Sequence, residues 1–195
     1  HSDEVANSFS KTLLDLAEGE MFQLEKAGKG DTTEEDYFKI IFCKTASLFQ
    51  AACITAAVSV DAPREYKEAA SLYGASLGIA FQVKDDIMDY EDRDVGKPVG
   101  IDLQEKKITL PLLGAFSQMD HEQEMTVRQL VGEIPEHPEY CAQVYDIVRK
   151  LGGIDYAEKR LAEYIGKAKD ALAVFPSTKN THGTVIKLSS PLSST

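Results

Sequence analysis

The stretch "FQVKDDIMDYEDRDVGK", Phe81 to Lys97, decides how this chain is read. A helical pattern of apolar residues runs into a stack of carboxylates, and a lysine-bearing turn follows at once. Counted at about 100° per residue from Pro63 onward, Gly74, Gly78, Gln82, Asp85 and Asp89 share one stripe. The stripe begins with residues that have no side chain and ends in carboxylates. The expectation is a groove with room along its length and oxygens at its mouth. Asp85 and Asp89 form a like-charged i,i+4 pair with Asp86 beside them, and on an exposed helix such a pair costs only about 0.2–0.5 kcal/mol. Taken alone, the pair fits a solvated acidic face as well as a ligand site. Its neighbours point to a ligand. Gln82 lies one turn earlier on the same face, Lys97 sits in a Gly-Pro loop, and "DLQEKKITLPLL" brings Lys106 and Lys107. Carboxylates facing lysines match a magnesium–polyphosphate site, because Mg2+ takes one or two carboxylates and fills its other positions with water and phosphate. The lysines would neutralise the outer oxygens as point charges.

Working outward, helical periodicity dominates and strand-like alternation is nearly absent. From Glu4 to Lys26 the residues Phe9, Leu13, Leu16, Ala17 and Leu24 recur at three- and four-residue steps, one apolar face. "GKGD" breaks that helix, and "TEED" (Thr33 to Asp36) supplies a hydroxyl cap with a carboxylate three positions later. A long helix over residues 34–60 should follow. It carries no charge after Lys44, so it is expected in the middle of a bundle. "DAPRE" starts the acidic helix, with Pro63 near its first turn. Helix resumes near Leu110 to Gln118, then near 122–133, 139–151 and 154–173. Residues 1–175 read as one all-α bundle. All 32 acidic residues precede Ala171, and residues 176–195, rich in Ser and Thr, read as a tail outside the fold.

The bulk numbers narrow the classes. The chain has 195 residues, 43% hydrophobic and 27% charged, enough for one domain with a core. A net charge of −11 leaves no basic stripe for a nucleic-acid partner. Cys43, Cys53 and Cys141 read as buried free thiols of a reducing compartment. No signal peptide precedes the first acidic residues, and no apolar run approaches the ~20 residues of a membrane span. The expectation is a soluble, cytoplasmic protein with no transmembrane segment.

"FQVKDDIMDY" followed by "GKPVGIDLQEKKITLPLL" resembles the second aspartate-rich region of the trans-type polyprenyl diphosphate synthases. "LAEGEMFQL" (Leu16 to Leu24) and "YFKIIFCKTASLFQAA" (Tyr37 to Ala52) resemble two further segments of that family, in the same order. The resemblance covers roughly residues 8–175. It implies the helical bundle of the isoprenoid synthases, in its C-terminal half. It also implies a prenyltransferase that condenses isopentenyl diphosphate with an allylic diphosphate, by Mg2+-assisted ionisation, condensation and proton loss. By motif position, Asp85, Asp86 and Asp89 would bind metal, with Asp85 ligating directly. Lys44 and Thr45 would contact the allylic diphosphate, and Gln82, Lys97 and Lys107 would complete that pocket. Lys44, Thr45 and Asp85 would be the catalytic set. A homodimer is implied as well.

The chain also departs from the family pattern. The first DDxxD motif and the GGKRxRP-like element that holds isopentenyl diphosphate do not occur in this sequence. Asp92 and Lys106 stand where the family has Gly. The expectation is an incomplete chain, a fragment or a short form, that makes little or no prenyl product alone. Two other functions stay open: a non-catalytic partner subunit that modulates a complete prenyl synthase, and a terpene cyclase.

Overall fold

A computed structural model describes residues 2–90 and 100–176 of the chain. Among them the protein is all-α. The longer elements are α1 (Ser2–Lys29), α2 (Glu34–Ile41), α3 (Ser47–Ser59) and α4 (Arg64–Met88). After α4 come a short turn α5 (Ile101–Gln104), α6 (Leu110–Phe116), α7 (His121–Glu133), α8 (Tyr140–Lys150) and α9 (Gly153–Ala171). Residues 91–99, with Asp92 and Lys97, and the tail from Ser177 lie outside the described residues.

Local chemistry sets the boundaries. Thr33 caps α2: its hydroxyl accepts from Asp36 N at 3.2 Å while the Asp36 carboxylate accepts from Thr33 N at 3.0 Å. Both orphan donors are thereby satisfied. Asp120 and Gln123 repeat the device at the start of α7. Gly100 and Gly152, at φ +88° and +70°, precede α5 and α9. Lys106 adopts φ +57°, a left-handed conformation that costs a side-chain-bearing residue about 1–2 kcal/mol.

The expected helix over 34–60 is not uniform. α2 and α3 are joined by a π-helical segment, Phe42–Ala46, which carries Lys44 and Thr45. Such widened turns hold one extra residue per turn and are frequent at functional sites. Nor is the helix enclosed, as its composition suggested. Only Ser47, Ala51 and Val58 of α3 are buried, and Leu48 is about half exposed. The span Glu34–Ser59 is in fact long and apolar enough to cross a membrane by length and composition, contrary to the sequence expectation. Its α3 part is seated on α4 along one side.

That seat explains the glycine stripe, and it overturns the expected groove. A Cβ on Gly78 would lie 2.5 Å from Ala46 Cα, and one on Gly74 would lie 2.6 Å from Phe49 O. The missing side chains make room for the backbone of the neighbouring helix, so the stripe is a contact between helices. α1 also differs from expectation. Its inward side is small or polar, with Thr12 and Gly19 buried. The apolar set Phe9, Leu13 and Leu24 is 43–68% exposed.

The main core lies between the end of α4 and α5 to α9. Every residue of α6 is buried, and Leu103, Leu112, Ile134, Val144 and Val148 are fully enclosed. Arg128 of α7 fastens this core to the α1–α2 turn, donating to the carbonyls of Gly30 at 2.8 Å and Thr32 at 3.1 Å. The three cysteines are free thiols, each partly buried.

Candidate functional site

A cavity of about 230 Å³ opens where α1, α2, the π-helical segment, α4 and the α5–α6 turn meet. Lys44, Thr45, Gln82, Asp86 and Lys107 line it, residues separated by up to 63 positions in the chain. The structure thus brings together five of the sequence-predicted site residues. Ile40, Ile41 and Ile108 supply its apolar wall.

Each lysine reaches the cavity already paired. Lys44 Nζ lies 2.6 Å from Glu20 Oε2 and donates to Gln23 Oε1 at 3.0 Å. Lys107 Nζ lies 2.5 Å from Glu105 Oε2 and 3.3 Å from Asp102 Oδ1. Burial works against the Lys107 charge, yet Glu105 and Asp102 hold its ammonium above the ordinary lysine range. Glu20 and Glu105 are exposed acids on flexible stems, so an anionic ligand can replace them at small cost.

Between the lysines runs a chain of hydrogen bonds. The Thr45 hydroxyl donates to Gln82 Oε1 at 3.0 Å, and Gln82 Nε2 donates to Asp86 Oδ1 at 2.9 Å. The Tyr37 hydroxyl donates to Asp86 Oδ2 at 2.7 Å. Asp86 is 4% exposed. Burial raises its carboxyl to about 7, although the bonds from Tyr37 and Gln82 pull the other way. Burial, with the Asp86 charge beside it, pushes the Tyr37 phenol well above its ordinary range.

The other two aspartates of the motif diverge from Asp86. Asp85 is exposed and does not line the cavity. Asp89 turns to the start of α5, where its Oδ1 accepts from Gly100 N at 3.3 Å, while its Oδ2 is buried with no hydrogen-bond partner. Burial and the charge of Asp102 raise its carboxyl, against the N–H groups of Gly100, Asp102 and Ile101. Among the described residues no group of three acidic, histidine or cysteine side chains converges to hold a metal. Lys97, the remaining expected member, lies outside the described residues.

Three residues of the site were not picked out from the sequence. Tyr37 stands seven positions before Lys44, two helical turns away on a similar face, and that spacing is the only trace it leaves. Asp102 sits inside "DLQEKK". Gln23 lies inside "LAEGEMFQL", on the cavity wall as the acceptor for Lys44.

The chain is similar to known proteins. A sequence profile described as polyprenyl synthetase matches residues 1–148. The chain is 38% identical over 172 residues to an all-trans-nonaprenyl-diphosphate synthase (geranyl-diphosphate specific) of Rhodobacter capsulatus, covering 87% of this chain and 52% of that protein. It is 35% identical over 177 residues to the octaprenyl diphosphate synthase of Escherichia coli, covering 90% and 54%. It therefore spans about half the length of these relatives. Among solved structures, a polyprenyl synthase from Caulobacter crescentus, complexed with calcium and isoprenyl diphosphate, superposes with a TM-score of 0.84 at 31% identity. That match covers 95% of this chain and 57% of the other. A geranylgeranyl pyrophosphate synthase from Bacteroides thetaiotaomicron gives 0.84 at 36% identity, covering 93% and 61%. With the profile spanning most of its length and the bundle shared with these enzymes, the chain belongs to the polyprenyl synthetase family.

Proposed function

We propose that this chain supplies the allylic-diphosphate wall of a polyprenyl diphosphate synthase, the enzyme that joins isopentenyl diphosphate to an allylic diphosphate. One observation carries the reading: Lys44, Thr45, Gln82 and Lys107, distant in sequence, line a single cavity at the acidic end of α4. Lys44 and Lys107 exchange Glu20 and Glu105 for diphosphate oxygens, Thr45 and Gln82 complete the contact surface, and Lys97 joins them by motif position. Ile40, Ile41 and Ile108 keep that side of the cavity dry, as a reactive carbocation requires.

Magnesium fits the end of α4 in part. The exposed carboxylate of Asp85 is open to a cation, while Asp89 and Asp86 hold their oxygens inward. When bound there, Mg2+ supplies charge stabilisation for the departing diphosphate. Asp85 would hold the metal, and Lys44 and Lys107 would hold and orient the diphosphate. A soluble, cytoplasmic homodimer belongs to the same reading.

The sequence contains a single DDxxD run, so we infer that the 195-residue chain binds Mg2+–pyrophosphate but forms little prenyl product by itself. Titration calorimetry with inorganic pyrophosphate and Mg2+ tests the first part. Lys44→Ala and Lys107→Ala should each weaken binding about tenfold, the loss of one charge-assisted contact. Unchanged affinity in both variants overturns the reading. Product from isopentenyl and farnesyl diphosphates at a rate typical of enzymes overturns the inactivity.

A second reading has one observation in its favour. Leu13, Leu14, Met21 and Leu24 of α1 are 64–73% exposed, a face suited to docking on a complete synthase and modulating its product length. A shift in product length when the chain is mixed with a full-length synthase would favour it.

A further inference from the structure

We propose that Asp86, with Tyr37 behind it, is a positioning residue that fixes the Gln82 amide and thereby turns the Thr45 hydroxyl into a hydrogen-bond acceptor facing the cavity. The inference rests on the reading of the cavity as a magnesium–diphosphate site and specifies how one of its side chains meets the ligand.

The geometry runs from the back of the site to the front. The Tyr37 hydroxyl is buried, and its proton goes to Asp86 Oδ2 at 2.7 Å. The other carboxylate oxygen, Oδ1, faces Gln82 at 2.9 Å. Both Asp86 oxygens accept in this arrangement, so Gln82 presents its NH2 group to Asp86. Its carbonyl oxygen is thereby aimed at Thr45, and it receives the single proton of the Thr45 hydroxyl at 3.0 Å. Thr45 has no second proton to give. Thr45 therefore offers the cavity only lone pairs, while Gln82 keeps one oxygen lone pair and its second amide N–H.

That result separates the role of Thr45 from that of the lysines. A diphosphate oxygen also accepts, so it gains nothing from a direct contact with a hydroxyl whose proton is already engaged. The matching groups are donors: the waters carried by a hydrated divalent cation, or a lysine ammonium. Lys44 and Lys107 would then hold the phosphate oxygens directly, while Thr45 would reach the diphosphate through metal-bound water. Asp86 touches neither ligand. It acts through Gln82, and its burial serves to keep one amide rotamer in place.

A reciprocal swap tests this. In Asp86→Asn the side-chain oxygen goes to the buried Tyr37 hydroxyl and the NH2 group faces Gln82, which must turn its amide over. Thr45 then meets an NH2 group and can no longer donate to Gln82. In Gln82→Glu two carboxylates face each other. In the double variant Gln82→Glu/Asp86→Asn, the asparagine NH2 donates to the glutamate, whose second oxygen accepts from Thr45. The Tyr37 and Thr45 bonds recover their original directions, and only the bond between positions 82 and 86 is reversed, at the same net charge.

Affinity for Mg2+–pyrophosphate should fall about tenfold in each single variant and return to within about threefold of wild type in the double. Melting temperatures should follow the same order. A single Asp86→Asn variant equal to wild type in both measurements, or a double variant no better than the singles, overturns the proposal. If the wild-type chain binds no Mg2+–pyrophosphate, the reading of the cavity fails. The positioning role is then decided by melting alone: recovery in the double variant sustains it, and absence of recovery removes it.

Discussion

Two apolar regions of this chain look alike in sequence and end in opposite surroundings. Around α6, Leu110, Leu112, Val131, Val144 and Val148 are closed off from solvent, each at 2% exposure or less. Along α1, Leu13, Met21 and Leu24 follow the same helical spacing yet are 64–73% exposed. A three- and four-residue period shows that a helix has an apolar face; it does not show what covers that face. In α6 the cover is α8 and α9. On α1 the side that meets the rest of the bundle is the other one, where Thr12 and Gly19 are buried.

The largest effects should fall in the closed region. Leu112→Ala removes a fully buried side chain and should cost about 2–5 kcal/mol in denaturant unfolding. Gly78→Ala tests the contact between α4 and the π-helical segment. Its new methyl would stand 2.5 Å from Ala46 Cα, and overpacking of this kind costs about 1–3 kcal/mol. It should also disturb Lys44 and Thr45 next to that contact, so pyrophosphate affinity should drop along with stability.

The cavity sharpens the comparison further, because it buries a charge where α6 buries only hydrocarbon. The Asp86 carboxyl, ordinarily near 3.8, is raised to about 7 in the folded chain. Between those values the native protein holds a proton that the unfolded chain has lost. Stability attributable to Asp86 therefore falls as pH rises through that window, by up to ~1.4 kcal/mol per pH unit. Subtracting the Asp86→Asn profile from that of wild type in unfolding between pH 4 and 8 should reveal this slope. A flat difference would show that Asp86 ionises as an ordinary surface carboxylate.

A smaller effect is expected at Lys106. Replacing it by glycine relieves the φ of +57° and should stabilise the chain by about 1 kcal/mol, the left-handed penalty less the added freedom of the unfolded glycine. The smallest belongs to the open region. Leu13→Ser should alter stability by no more than about 0.5 kcal/mol, because the side chain is exposed at the outset. A loss near that of Leu112→Ala would mean that the α1 face is covered in solution.

Helix starts were legible because capping is local: the Thr33–Asp36 box needs only four consecutive residues. Lys44, Thr45, Gln82 and Lys107 were legible as site residues through motif order. The glycine stripe was visible but misread, since a missing side chain admits a neighbouring backbone as readily as a ligand. The π-helical segment left no mark in the period, and its extra residue becomes visible only in the hydrogen-bonding pattern of the folded helix. Tyr37 and Asp86, 49 positions apart, could be paired only by the packing of α2 on α4. For the same reason Asp86 read as an equal of Asp85, although one is buried and the other exposed.

The most direct measurement is calorimetric titration of the chain with inorganic pyrophosphate, with and without Mg2+, in wild type and in Asp85→Ala/Asp89→Ala. If divalent ions bridge the ligand to the acidic end of α4, wild type binds only with the metal present, and the double variant loses about a hundredfold, roughly a factor of ten per carboxylate. Equal affinity in both proteins with Mg2+ present would contradict the account.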